Sequence, residues 1–346
     1  MTEWYPETAP IPLPAADRIT VVGGGNWGTT FAKIIADGGS DVTLAVRRPE
    51  LADEINESHR NTAYLPGVNL PEAIHATANL ADAVNGADLV FLSVPAQSAR
   101  ENLEEIKRYL APEAAIISLM KGVERSTGKR MSDVIAEVAG IPVSRVAVAS
   151  GPNIALEIAR EQPTAIVVAS ASQDLAIRVA RLARNSYLRS FVNADVIGTE
   201  FGGVLKNLIA IAIGIADGVG FGENTKAAIM TRGLAEITDF AVAMGAKRDT
   251  MMGLAGMGDL IATCMSPLSR NFTAGRLLGQ GYSYSDVNSR MEQTAEGLRS
   301  VDSILVLAAE HGVPMPIVTQ IAAVLEGRML PADLAPHLAT NSGDHE

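Results

Sequence analysis

One cysteine, Cys264, is all that the chain contains in 346 residues. An internal disulfide is therefore excluded, and the usage fits a reducing compartment, which points to the cytoplasm. Cys264 has no candidate base near it in sequence and reads as a small buried filler, not a nucleophile. Basic runs are missing too: 28 Lys and Arg stand against 39 Asp and Glu, for a net charge of −11. That balance excludes nucleic acid as a general partner. Long apolar runs are scarce. The most apolar stretch, Leu208 to Ala216, is too short and too interrupted by Gly214 to read as a transmembrane segment. The N-terminal residues MTEWYPETAPIPLPAAD carry acids and four prolines where a secretory leader needs a positive start and an apolar run. The five histidines show no metal-ligand spacing, so no metal is expected, and no Ser-His-Asp order is present. Tandem repeats and low-complexity tracts are absent as well.

What is present divides into two halves. The length suffices for two cores, and the pattern predicts a Pro-rich arm over 1–17, a nucleotide-binding α/β domain over 18–194, a helical substrate domain over 195–340 and a polar tail over 341–346. In the first half, short apolar β runs alternate with helical segments: 19–22, 41–46, 74–77, 88–94, 115–119, 146–149, 165–169 and 188–192. Continuous apolar strands separated by helices predict a doubly wound, mostly parallel sheet covered on both faces. Between the first strand and the first helix lies Gly23-x-Gly25-x-x-Gly28. This fingerprint carries weight only in that setting, where the glycines allow a tight turn and let a pyrophosphate approach a helix N-terminus. The next strand ends in Arg47 and Arg48, where a NAD-selective unit usually places an acid. Guanidinium forks suit a ribose 2′-phosphate, so NADP(H) is expected over NAD(H), which stays possible. The alternative is that both arginines are solvated surface charges after a strand. Ligands of such sheets bind beyond the carboxyl ends of the strands, which singles out Pro95, Lys121 and Gly151-Pro152-Asn153. Lys121 taken alone is more often a solvated lysine than a ligand.

The second half predicts helices over 199–217, 224–244, 273–280, 285–291, 295–311 and 316–326. The first is apolar on every face, hence buried, yet it contains Lys206 and Asn207. A buried ammonium is costly unless paired, and its pKa can fall into a catalytic range. Snorkelling of Lys206 to the surface is the alternative. Gly203, Asn207, Ala210, Gly214 and Gly218 form a nearly bare stripe where another segment can pack closely. A glycine-rich loop, Gly253 to Leu260, continues to Thr263 and Cys264. It contains Asp259, the obvious carboxylate to hold Lys206, which would also fit a helix N-cap. Arg270 and Asn271 offer donors to a phosphate group.

Together GGGNWGT, LMKGVE, SGPNIALEI, FGGVLKNLIAIAIGIADGVGFGENTKAA, GLAGMGDLIATC, SRN and AEG resemble the NAD(P)-dependent glycerol-3-phosphate dehydrogenases of bacterial type. The resemblance runs from about residue 18 to 328. It implies a cytoplasmic, homodimeric enzyme interconverting sn-glycerol 3-phosphate and dihydroxyacetone phosphate, a small phosphorylated triose, for phospholipid synthesis. It further implies Lys206 as general acid/base, with Asp259 and Lys121 beside it. Substrate contacts fall on Lys121, Gly151, Asn153, Asp259, Ser269, Arg270 and Asn271. Cofactor contacts fall on Asn26, Trp27, Arg47, Lys121, Ala155, Arg270, Thr294 and Glu296. Asn153 stands where Ser or Thr is common, and Ala96 where Ser is frequent. Two other readings compete: a related two-domain reductase of β-hydroxy acids or ketopantoate, and a non-catalytic NADPH-binding sensor.

Overall fold

The computed structural model describes residues 17–291 and 295–334. Most of the Pro-rich arm, the polar tail and Thr294 lie outside those residues. Eight strands form one sheet: β1 Ile19–Val22, β2 Val42–Ala45, β3 Ile74–Thr77, β4 Leu89–Leu92, β5 Ala115–Ser118, β6 Val146–Ser150, β7 Thr164–Ser170 and β8 Leu188–Asn193. Their order is β3-β2-β1-β4-β5-β6-β7-β8. All neighbours run parallel except β6 and β7. Fully buried runs such as Ile19–Val22 and Leu89–Leu92 need helices on both faces. The helices α1 Asn26–Asp37, α2 Pro49–Ser58, α3 Leu80–Val84, α4 Ala99–Ile106, α5 Met131–Ala139, α6 Ala155–Ala159 and α7 Gln173–Leu182 alternate with the strands. β1 pairs with β2 on one side and β4 on the other, so chain order reverses there. A doubly wound sheet opens its ligand crevice at such a reversal.

Among the described residues, the second half holds helices only: α8 Val196–Val219, α9 Glu223–Ala243, α10 Arg248–Met251, α11 Asp259–Met265, α12 Arg270–Gly279, α13 Tyr284–Arg290, α14 Glu296–Glu310 and α15 Pro316–Leu325. α8 is the axle. The Asp195 side chain caps it by accepting from Gly198 N–H at 2.8 Å, which starts the helix earlier than the apolar pattern indicated. With 24 residues it is long enough to cross a membrane, so shortness does not exclude a span. Burial does, since 89% of its most apolar stretch lies inside the protein.

The bare stripe on α8 receives α12. A methyl group built on Gly214 or Gly218 would stand 2.2 Å from the carbonyl oxygens of Phe272 and Arg276. In return, methyls on Gly275 and Gly279 would stand 2.2 and 2.3 Å from the carbonyls of Ile211 and Ile215. Backbone lies on backbone, and this sets where the N-terminus of α12 falls. Gly275→Ala forces the helices apart, and the expected cost is about 1–3 kcal/mol, the range for an overpacked core. Urea unfolding reads this directly; an unchanged midpoint would show that the contact is not tight.

Candidate active site

Parallel strands end at one edge, and that edge collects the residues singled out by the sequence. Gly23 follows β1, Arg47 follows β2, Ala96 follows β4, Lys121 follows β5 and Gly151 follows β6. Gly23 has φ +118°, a conformation side chains avoid, and a methyl there would strike the Ser93 carbonyl at 2.2 Å. A methyl on Gly28 would lie 1.8 Å from the Gly23 oxygen. Those two glycines are demanded by the fold itself. Gly25 is not: a methyl there meets nothing within 4 Å, and no side chain caps α1. Open space before an uncapped helix N-terminus fits a pyrophosphate. Trp27 packs edge-on against Phe31 at 5.6 Å, leaving a buried Nε1 with no partner among the described residues. Asn61 braces the turn by donating to the Gly24 carbonyl and the Thr29 hydroxyl at 3.0 and 2.8 Å. Nothing local marks Asn61 in the sequence, because its partners lie more than thirty residues away. Arg47 and Arg48 are exposed at the mouth of the turn. Ala155 opens α6, its carbonyl accepting from Thr30 Oγ1 at 3.3 Å.

Facing this edge stands the buried lysine. Lys206 is 6% exposed, so its ammonium does not snorkel. It donates to Asp259 Oδ1 and, at 2.7 Å, to Thr263 Oγ1. The other Asp259 oxygen accepts from Lys121 Nζ at 2.7 Å, and Lys121 also donates to the Gly151 carbonyl at 3.2 Å. One carboxylate, 1% exposed, thus serves two ammoniums carried by different halves of the chain. Burial lowers the Lys206 pKa to about 8; Asp259 opposes that shift and the Lys121 charge adds to it. Cys264, buried beside them, is pushed up to about 12 by desolvation, so its thiol is inert at neutral pH.

The glycine-rich segment is not the loop expected. Leu254–Gly258 forms a π-helical turn that runs straight into α11. Gly256 serves close packing, since a methyl there would lie 2.1 Å from the Met251 carbonyl. The N-cap of α11 is Gly258, with Asp259 inside the helix, so the capping role for Asp259 is not observed. Thr263 follows one turn later on the same face, which is how it reaches Lys206. Reading the segment as a loop concealed it.

α12 starts at Arg270, three residues before the periodicity indicated, because the Ser269 hydroxyl caps it through Phe272 N–H at 3.2 Å. Arg270 is exposed at this terminus. Asn271 is buried and already occupied: its amide donates to Asn207 Oδ1 at 2.9 Å, and its oxygen accepts from Gly297 N–H at 3.0 Å. Glu296 accepts from the Ala96 N–H and faces Arg270, while burial raises its pKa. Ala96 is itself buried, and a methyl on Gly122 would lie 2.5 Å from its Cβ. Asn153 donates to the Ala165 carbonyl at 3.2 Å, leaving its buried Oδ1 without a partner among the described residues.

A dinucleotide-binding sheet whose strand ends face a buried lysine from an all-helical half defines a two-domain nicotinamide-dependent dehydrogenase. Comparison with known proteins narrows the class. The model of the NAD-dependent glycerol-3-phosphate dehydrogenase N-terminus matches residues 18–176, and that of the C-terminus matches residues 195–335. The glycerol-3-phosphate dehydrogenase [NAD(P)+] of Leifsonia xyli is 63% identical over 321 residues, covering 93% of this chain and 87% of its own. The crystal structure of glycerol-3-phosphate dehydrogenase from Coxiella burnetii superposes with a TM-score of 0.89 at 32% identity, over 95% of this chain and all of its own. A ketopantoate reductase of Ralstonia eutropha shares the fold alone, at a TM-score of 0.61 and 17% identity over 92% of this chain and 99% of its own. The chain belongs to the NAD-dependent glycerol-3-phosphate dehydrogenase family.

Proposed function

We propose that this chain interconverts dihydroxyacetone phosphate and sn-glycerol 3-phosphate using NADP(H) in preference to NAD(H). The observation that carries the reading is the Lys206 ammonium, buried and held by Asp259, which in turn binds Lys121. In the reducing direction Lys206 polarises the substrate carbonyl and gives its proton to the developing alkoxide. Asp259 aims the ammonium. Lys121 adds positive potential and, through Gly151, stays at the strand ends. The reduced nicotinamide, when bound, supplies the hydride. Gly23, Gly25 and Gly28, with Asn26, Trp27 and Ala155, would hold its dinucleotide. Arg47 and Arg48 would take the ribose 2′-phosphate, and Glu296 would border the nicotinamide end beside Ala96.

Arg270 and the N-terminus of α12, capped by Ser269, would grip the substrate phosphate. Asn271 would act chiefly by holding that terminus on α8, since both ends of its amide are engaged. A sensor would have no need of two ammoniums on one buried carboxylate, and reductases of carboxylate substrates would have no need of phosphate. The family resemblance supports a cytoplasmic homodimer that supplies glycerol phosphate for phospholipid synthesis.

The test follows the absorbance of NADPH and of NADH with dihydroxyacetone phosphate and with unphosphorylated dihydroxyacetone. Only the phosphate ester should turn over well, and NADPH should be the better donor. Arg270→Ala should raise KM for the ester by about tenfold to a hundredfold, the worth of one charge-assisted hydrogen bond, with little change in kcat. Equal use of the unphosphorylated ketone overturns the reading.

A further inference from the structure

The segment that delivers Lys121 is held by both halves of the molecule. After β5 it folds back on itself. Val123 pairs with Arg130 across an antiparallel bridge, and Glu124 N–H donates to the Lys129 carbonyl at 2.9 Å. Gln97, beside Ala96, donates to the Val123 carbonyl at 2.8 Å and accepts from Arg125 N–H at 3.0 Å. The same segment enters the helical half: Val123 is 1% exposed within the core built around α8. Arg125 donates to the Arg299 carbonyl of α14 at 3.2 Å.

Where the segment passes into α5, Glu200 of α8 takes hold of it. Its Oε1 accepts from Ser132 N–H at 2.9 Å, and its Oε2 accepts from the Ser132 hydroxyl at 2.5 Å and from Arg130 Nη1 at 2.8 Å. Arg130, the N-cap of α5, supplies no side-chain cap, so this carboxylate caps the helix from another element. Burial raises the Glu200 pKa against the pull of Arg130 and Ser132; Asp133, also near, is paired with Arg130 at 2.9 Å. A buried carboxylate is costly unless satisfied in this way, and a mere helix start could be capped more cheaply from within.

Its place on α8 supplies the reason. Glu200, Gly203 and Lys206 recur at intervals of three along one side of the helix. Glu200 holds the far end of the segment. Gly203 offers bare backbone to the Lys121 stem, with a methyl there only 3.2 Å from its Cγ. Lys206 meets Lys121 across Asp259. We infer that Glu200 is a positioning residue for the reaction, fixing the Lys121 segment to α8 so that the two ammoniums stay in register on Asp259. The inference rests on the roles given above to Lys121 and Lys206.

A double-mutant cycle in kcat tests it, using Glu200→Gln, Lys121→Met and the pair. Glutamine must turn an amide N–H toward either Arg130 or Ser132 N–H, so one end of the clamp is broken while the volume is kept. Glu200→Gln should lower kcat by about tenfold or more, the scale on which a small misplacement costs rate. In the Lys121→Met background it should cost nothing further. The pH profile provides a second readout. Lys206 is faced by Asp259, Thr263 and Cys264 from α11 and by Lys121, so withdrawing Lys121 should move its limb to higher pH. If Glu200→Gln does not fold, Ser132→Ala, which keeps the Arg130 pair, enters the same cycle with a smaller loss. Equal losses in both backgrounds, or an unchanged kcat, overturn the inference alone. Wild-type kcat in Lys121→Met overturns the Lys121 role and the inference with it.

Discussion

Lys206→Ala lowers kcat for reduction of dihydroxyacetone phosphate by about two orders of magnitude or more, the scale of a lost general acid. Dissociation of NADPH should be nearly unchanged, because this side chain's hydrogen bonds go to Asp259 and Thr263 and not to the Gly23–Gly28 turn. Lys206→Arg separates proton delivery from charge. Guanidinium keeps the positive charge yet does not give up a proton at any working pH. It should therefore be about as inactive as the alanine variant. A steady-state assay with both variants decides, and an arginine enzyme close to wild type would reduce the role of Lys206 to electrostatics.

Asp259→Asn should damage both turnover and stability. Removal of one partner from a buried charge pair costs about 3–5 kcal/mol, since the remaining charge keeps its desolvation penalty. Here two ammoniums lose their shared anion. The Lys206 pKa, already held below the usual lysine value by burial and by Lys121, loses the influence that opposed that fall. In the folded variant it drops further, so less of the proton donor survives at neutral pH and kcat falls with it. The sign for stability follows from the same shift. A lysine whose folded pKa is depressed binds fewer protons folded than unfolded, so stability increases with pH across the interval between the two values. Urea unfolding at pH 7 and at pH 9 should show a smaller deficit for Asp259→Asn at the higher pH. A deficit independent of pH would mean that Lys206 is not the group left stranded.

Much of this arrangement was legible because its signals are local. Apolar strands, the Gly23-x-Gly25-x-x-Gly28 turn and a mostly apolar helix interrupted by Lys206 and Asn207 each announce themselves within thirty residues. Even the face of α8 that takes a close neighbour showed, as the bare stripe through Gly214 and Gly218, though not that α12 is the neighbour. What escaped depends on distance or on a misread glycine. The glycines before Asp259 look like a loop because glycine favours one, yet here Gly256 lets a π-helical turn pack against Met251, and Gly202 of α8 lets the same turn approach that helix. With that helix concealed, Thr263 could not be placed one turn from Asp259. Asn61 and Glu200 carry no local mark, since each acts on a segment that only the folded chain brings near.

The pH dependence of kcat/KM tests the buried proton donor most directly, because it reports groups of the free enzyme. With Lys206 at about 8, ketone reduction should fall as pH rises through that value, while alcohol oxidation, which needs the neutral amine, should rise through it. The substrate phosphate titrates near pH 6, about two units lower, and gives a separate limb. Residual activity of Lys206→Ala should lack the upper limb. An upper limb near 10.5, the ordinary lysine value, or one that persists in Lys206→Ala, would contradict a desolvated ammonium as the proton donor.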